Sequence, residues 1–114
     1  MKVIEIPEPV QLPYKVAIED TGKVEDRTQK STLPEFLTAC CEGFEKFAAG
    51  PKMARQFGKI MDKLESVNGD KSVAFEDVDY SVVRDAVNAT KWRTAAINRA
   101  YLPFYDAVEN ATEE

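Results

Sequence analysis

The chemically most versatile side chains in this sequence are two adjacent thiols, Cys40 and Cys41. A thiol attacks a substrate or binds a metal only as the thiolate, which requires a nearby base, cation or metal to lower its pKa. The chain has no histidine to act as that base or to complete a zinc site, and neighbouring cysteines cannot clip two distant segments together. They are expected to be buried structural thiols. Glu76, Asp77 and Asp79 could ligate a hard cation, but their spacing lacks the ligand pattern of a calcium loop, and a helix N-terminus accounts for three acids in a row. The chain also lacks a G-x-S-x-G elbow, a phosphate-binding glycine loop and a C-x-x-C pair, so the expectation is a non-enzyme with no catalytic residue, cofactor or metal.

Two surfaces could bind rather than react. Lys52, Arg55, Lys59 and Lys63 fall within about 80° of one another on a helix of about 100° per residue, a stripe able to meet phosphate or an acidic partner. No aromatic residue interleaves with them to stack bases, so a solvated face is the favoured reading and nucleic acid is not the expected partner. The second surface lies near the C-terminus. Read as one helix, residues 92–111 set Ile97, Tyr101, Phe104 and Val108 along one side, while Trp92 and Leu102 project nearly opposite and Tyr105 flanks the stripe. A helix apolar on two sides is either wrapped twice or touches another molecule. Trp92, Leu102 and Tyr105 are therefore the candidate partner-binding or self-association residues, unless Pro103 rotates the second half onto a single core.

The elements that position these residues are legible from spacing. Residues 1–31 read as extended: Val3–Ile6 is a short β-branched run before Pro7 and Pro9, and Val10, Leu12, Tyr14, Val16 and Ile18 alternate with less apolar neighbours. Pro13 confines ordered strand to about 14–19 or places the earlier part on a sheet edge. Asp20-Thr21-Gly22-Lys23 is turn chemistry, returning as a second strand from Val24 to Thr28. Thr32 and Glu35 form a capping box that opens a first helix expected to run to Ala48, with Leu33, Phe36, Leu37, Cys40, Cys41, Phe44 and Phe47 on its core side. Gly50-Pro51 ends that helix and starts another, carrying Met53, Phe57, Ile60, Met61 and Leu64, until Asn68-Gly69. Ser72–Phe75 is a short strand able to join the N-terminal hairpin, and a third helix begins near Asp77 and fades around Asn88–Thr90. The last helix spans 92–111 with a kink or fresh start at Pro103, and residues 112–114 are expected to fray.

With 114 residues, 44% of them hydrophobic, the chain suits a single domain able to bury a core without disulfides. Its net charge of −5 argues against whole-chain attraction to nucleic acid. No apolar run reaches the length of a membrane span, and MKVIEIPEPV lacks the apolar segment of a signal peptide, so the expected location is cytoplasmic, without membrane contact. The two sequons, Asn88-Ala89-Thr90 and Asn110-Ala111-Thr112, are then without consequence.

The order TLPEFL, VAFEDVDYSVVRDAV, RAYLPFYDAVENA resembles small proteins encoded in tailed-phage and prophage genomes, over roughly residues 32–111. Leu102, Pro103, Phe104, Asp106, Ala107 and Val108 carry its most specific part. The resemblance brings no catalytic residues; it implies a phage setting. Together these readings give an α+β fold, about four helices beside a small antiparallel hairpin or three-stranded sheet. The expected function is non-enzymatic protein–protein binding in virion assembly, as a tail or head–tail assembly chaperone. The alternatives are an effector that inhibits a host protein and, after it, a nucleic-acid module using the lysine and arginine stripe. A phage structural protein, a host protein or a second copy of the chain is the expected partner.

Overall fold

A computed structural model describes residues 1–17, 22 and 24–114. Its centre is α1, Leu33–Glu42, where Thr32 adopts the extended conformation of a helix cap and its hydroxyl accepts from the Glu35 N–H at 3.5 Å. Leu33, Phe36, Leu37, Cys40 and Cys41 are all buried, as the periodicity requires. The helix is shorter than expected. Gly43 caps it, Phe44 is extended, and Glu45–Ala48 form a separate 3₁₀ turn. That break lets the Phe47 ring meet Phe44 and Phe57 edge-on, at 5.7 and 5.4 Å between centroids.

Gly50 then takes a φ of 79°, a conformation that suits a residue without Cβ, and Pro51 follows in the first turn of α2, Gly50–Glu65. Ile60 and Leu64 are its buried residues. Next come β4, Ser72–Phe75, and α3, Asp77–Ala89, which packs on α1 and buries Val83, Ala86 and Val87. The expected last helix is two helices, α4 (Ala95–Ala100) and α5 (Leu102–Glu109). Pro103 in the first turn of α5 makes the fresh start, and Thr94 caps α4 by accepting from the Ile97 N–H at 3.2 Å.

Two separate antiparallel sheets complete the α+β architecture. β1, Lys2–Glu5, is the middle strand of a three-stranded sheet ordered β4-β1-β5, where β5 is Thr112–Glu113. Ile4 stands opposite Val73 and both are buried, so Val73 and Phe75 face inward together. Here two expectations are corrected. β4 joins β1 rather than the hairpin, and residues 112–113 are paired with Lys2 and Val3 rather than frayed. A short β-branched strand gains more from two-sided pairing over a core than a polar C-terminal stretch gains from solvent freedom.

The second sheet is a two-stranded ribbon, β2 (Val10–Ala17) with β3 (Val24–Ser31), in register from Val10↔Ser31 to Ala17↔Val24. Pro13 is accommodated within β2, which starts earlier and β3 ends later than the sequence implies. The predicted Asp20–Lys23 turn, with Ile18 and Glu19, lies outside the described residues except for Gly22. The ribbon's base is anchored by half-buried Val10 and Leu12 and by buried Ser31. Eight residues of strand extend about 27 Å, and the molecule accordingly measures 52 × 31 × 23 Å with a radius of gyration of 15.9 Å, above the roughly 13 Å of a compact domain this size.

Candidate protein-binding surface

The segment between α3 and α5 is where the expected partner residues lie. Trp92 precedes α4 rather than belonging to it, so it does not project from a helix; its ring lies 4.5 Å from Tyr101 and 5.7 Å from Phe36. Its indole N–H donates to the Tyr105 hydroxyl at 2.9 Å, and that hydroxyl donates to the Asn98 carbonyl oxygen at 2.5 Å. Burial holds the Tyr105 and Tyr101 phenols above their ordinary pKa. Phe36 is the hub, within 5.7 Å of the rings of Trp92, Tyr101, Phe104 and Tyr105. Trp92 and Tyr105 thus join the core's rim half-buried, and only Leu102, 52% exposed, stands fully at the surface.

A larger concave feature escaped the sequence reading. α4 packs against β2, and between the ribbon and α4 runs a cleft lined by Pro13, Tyr14, Arg27, Thr28, Arg93, Thr94, Ala96 and Ile97. Tyr14 is 40% exposed there. Arg93 and Thr94 also line a shallow hollow beside Trp92 and Asn98, so the cleft and the aromatic rim are one continuous surface. Between Asp85 and Asp106 the chain carries Lys91, Arg93 and Arg99 and no acid, against −5 overall. The period-two pattern placed Tyr14 in a strand, but only tertiary packing sets that strand beside α4.

The basic stripe and the acidic cluster meet each other. The Lys59 ammonium lies 2.8 Å from Glu76 Oε2 and 3.2 Å from Asp79 Oδ2, and Gln56 Nε2 donates to Asp79 Oδ1 at 3.1 Å. Hydrogen bonding to Glu76 and Asp79 raises the Lys59 pKa. Asp79 is 5% exposed, a carboxylate buried with partners. Lys52, Arg55 and Lys63 remain exposed. Among the described residues no cluster of three acids, cysteines or histidines is placed to hold a metal, and no helix is long and apolar enough to cross a membrane.

Burial pushes the Cys40 thiol up to about 11 and the Cys41 thiol up to about 12, from an ordinary value of 9.0. Both face the core at 0% exposure, and near neutral pH such thiols are protonated and poorly nucleophilic. No protein-family model, curated protein or solved structure matches this chain.

Proposed function

We propose that this chain is a non-enzymatic binding protein of a phage life cycle, acting in virion assembly by holding a protein partner. The observation that carries the binding role is the continuous surface from the ribbon cleft to the aromatic rim. It offers Tyr14, Ile97 and Trp92 as apolar contacts and Arg93 with Lys91 as cations, in a chain that is acidic overall. Aromatic and arginine side chains at the edge of a concave apolar site are the usual anchors of protein recognition. The complementary partner is a protein segment bearing apolar and acidic groups. The phage setting and the assembly role rest on the resemblance of residues 32–111, most of all Leu102-Pro103-Phe104 and Asp106-Ala107-Val108.

Affinity isolation from infected and uninfected host cells tests this reading. The expected result is recovery of a phage structural protein from infected cells, lost when Tyr14→Ala is combined with Ile97→Ala in a chain that still folds. Recovery of a host enzyme from uninfected cells would replace assembly with host inhibition. Unchanged recovery by the double variant would remove this surface from the binding role.

A further inference from the structure

The two strands of the ribbon are packed unequally. Among the described residues β2 packs on α4 as well as on β3, whereas β3 packs on β2 and on no other element to a comparable extent. An unpaired strand edge presents a row of N–H and C=O groups that template pairing with another chain, and two strands alone make a marginal sheet. Natural edges are commonly blunted by proline; Pro13 sits in β2, while β3, VEDRTQKS, has none. Pro13 pairs with Thr28. A proline has no N–H to give the ladder, so it fits where the paired residues' main-chain groups point away from each other. That arrangement turns the N–H and C=O of Thr28, and by alternation those of Asp26 and Lys30, toward the open edge.

We propose that β3 pairs antiparallel with β3 of a second copy, giving a four-stranded sheet ordered β2-β3-β3-β2 about a two-fold axis at Thr28. An antiparallel pair of identical edges related by a two-fold axis must set one residue opposite itself. A centre at Glu25, Asp26, Arg27 or Lys30 opposes like charges on the axis, which destabilises a pair. A centre at Thr28 aligns residues 25–31, sets threonine against threonine, and places Asp26 opposite Lys30 of the second copy twice. A centre at Gln29 aligns only residues 27–31 and leaves the acids out. The edge's own sequence, acidic at one end and basic at the other, is thus self-complementary in one register. This deepens the binding role proposed above by naming a second copy as one partner, at the β3 edge, where Arg27 and Thr28 also border the α4 cleft.

Sedimentation and disulfide trapping test it on the full chain. The mass is expected to rise from 12.8 kDa toward twice that with concentration. Thr28→Cys is expected to form an intermolecular disulfide readily on mild oxidation, because opposed residues of a hydrogen-bonded pair lie about 5.5 Å apart between Cα atoms. Gln29→Cys, placed opposite Arg27 rather than itself, is expected to cross-link far more slowly. Lys30→Glu is expected to dissociate the dimer at least tenfold more easily, and Asp26→Lys with Lys30→Glu to restore it. A chain that stays monomeric at high concentration, or Thr28→Cys and Gln29→Cys cross-linking equally, overturns the proposal. A monomer that still recovers a phage structural protein through Tyr14 and Ile97 overturns only the dimer and leaves the binding role standing.

Discussion

The indole N–H of Trp92 donates to the hydroxyl of Tyr105 at 2.9 Å, across thirteen residues of sequence, and so closes the α3–α4 connection onto α5. The same hydroxyl gives its proton to Asn98, so one phenol joins three segments. Tyr105→Phe keeps the ring beside Phe36 and removes both bonds, leaving a half-buried indole N–H unpaired. The expected cost is about 1–3 kcal/mol, read as a lower urea midpoint. The tryptophan emission should shift as its N–H loses its acceptor, whereas Leu102→Ala, at an exposed position, should leave both readings nearly unchanged. Equal losses from the two variants would contradict the packing described.

Asp79 is buried with two partners from α2, Gln56 and Lys59. Removing one partner of a buried carboxylate leaves a desolvated charge short of compensation. Lys59→Ala is therefore expected to lower the melting temperature, while Lys52→Ala and Lys63→Ala, at exposed positions on the same helix face, should have little effect. Lys59→Ala combined with Asp79→Asn should recover part of the loss, because the charge that Lys59 offsets is then gone. Three equal effects would show that the stripe is only a solvated face.

The thiols make a prediction about alkali. In the folded chain Cys40 and Cys41 hold their protons to about 11 and about 12 because burial disfavours the thiolate, whereas an exposed thiol gives up its proton near 9.0. Above about pH 9 the unfolded chain therefore binds fewer protons than the folded one, and stability falls as pH rises, with none of this effect below. The Tyr101 phenol, the half-buried Tyr105 phenol, and Lys2 held by Glu113 shift in the same direction. Stability should decline from about pH 9 to about pH 12, by several kcal/mol from the two thiols, read as a falling urea midpoint. Thiol reagents should label the native protein far more slowly than the urea-unfolded one. A native rate equal to the unfolded rate at neutral pH would mean the thiols are accessible.

Local chemistry made the helices legible: Thr32 with Glu35 marked the start of α1, Gly50-Pro51 the start of α2, and Pro103 the division between α4 and α5. These signals act within a turn of their own position, so sequence carries them directly. The pairing of Lys2–Glu5 with Ser72–Phe75 and with Thr112–Glu113 spans most of the chain. It is decided by which strands cover the same core face, and no local spacing encodes that choice. Lys59 illustrates the same limit at the surface. Its place in the basic stripe followed from helical geometry, but its use as the partner of Asp79 depends on α2 and α3 lying side by side. The ribbon cleft was invisible for the same reason: Tyr14 and Ile97 are 83 residues apart in a chain whose numbering runs from 14 to 97 between them.

Tyr80 ties the start of α3 to the end of α5. Its hydroxyl, in a buried setting, donates to the Val108 carbonyl at 2.6 Å, immediately before the chain turns into β5 alongside Lys2 and Val3. Tyr80→Phe keeps the ring and its packing but removes the 2.6 Å hydrogen bond to that carbonyl, leaving it the backbone N–H groups of Asn110 and Ala111, the latter at 3.4 Å. The loss is expected to be about 1–2 kcal/mol, equivalent to a fall of several degrees in melting temperature. Its location is the sharper test. Amide exchange should quicken at residues 109–113 and at their β1 partners, since the C-terminal strand loses the contact that fixes its approach, while the α1 amides around Phe36 and Cys40 keep their protection. Uniform acceleration across α1 and β5 would show that Tyr80 supports the whole core rather than the docking of the last strand.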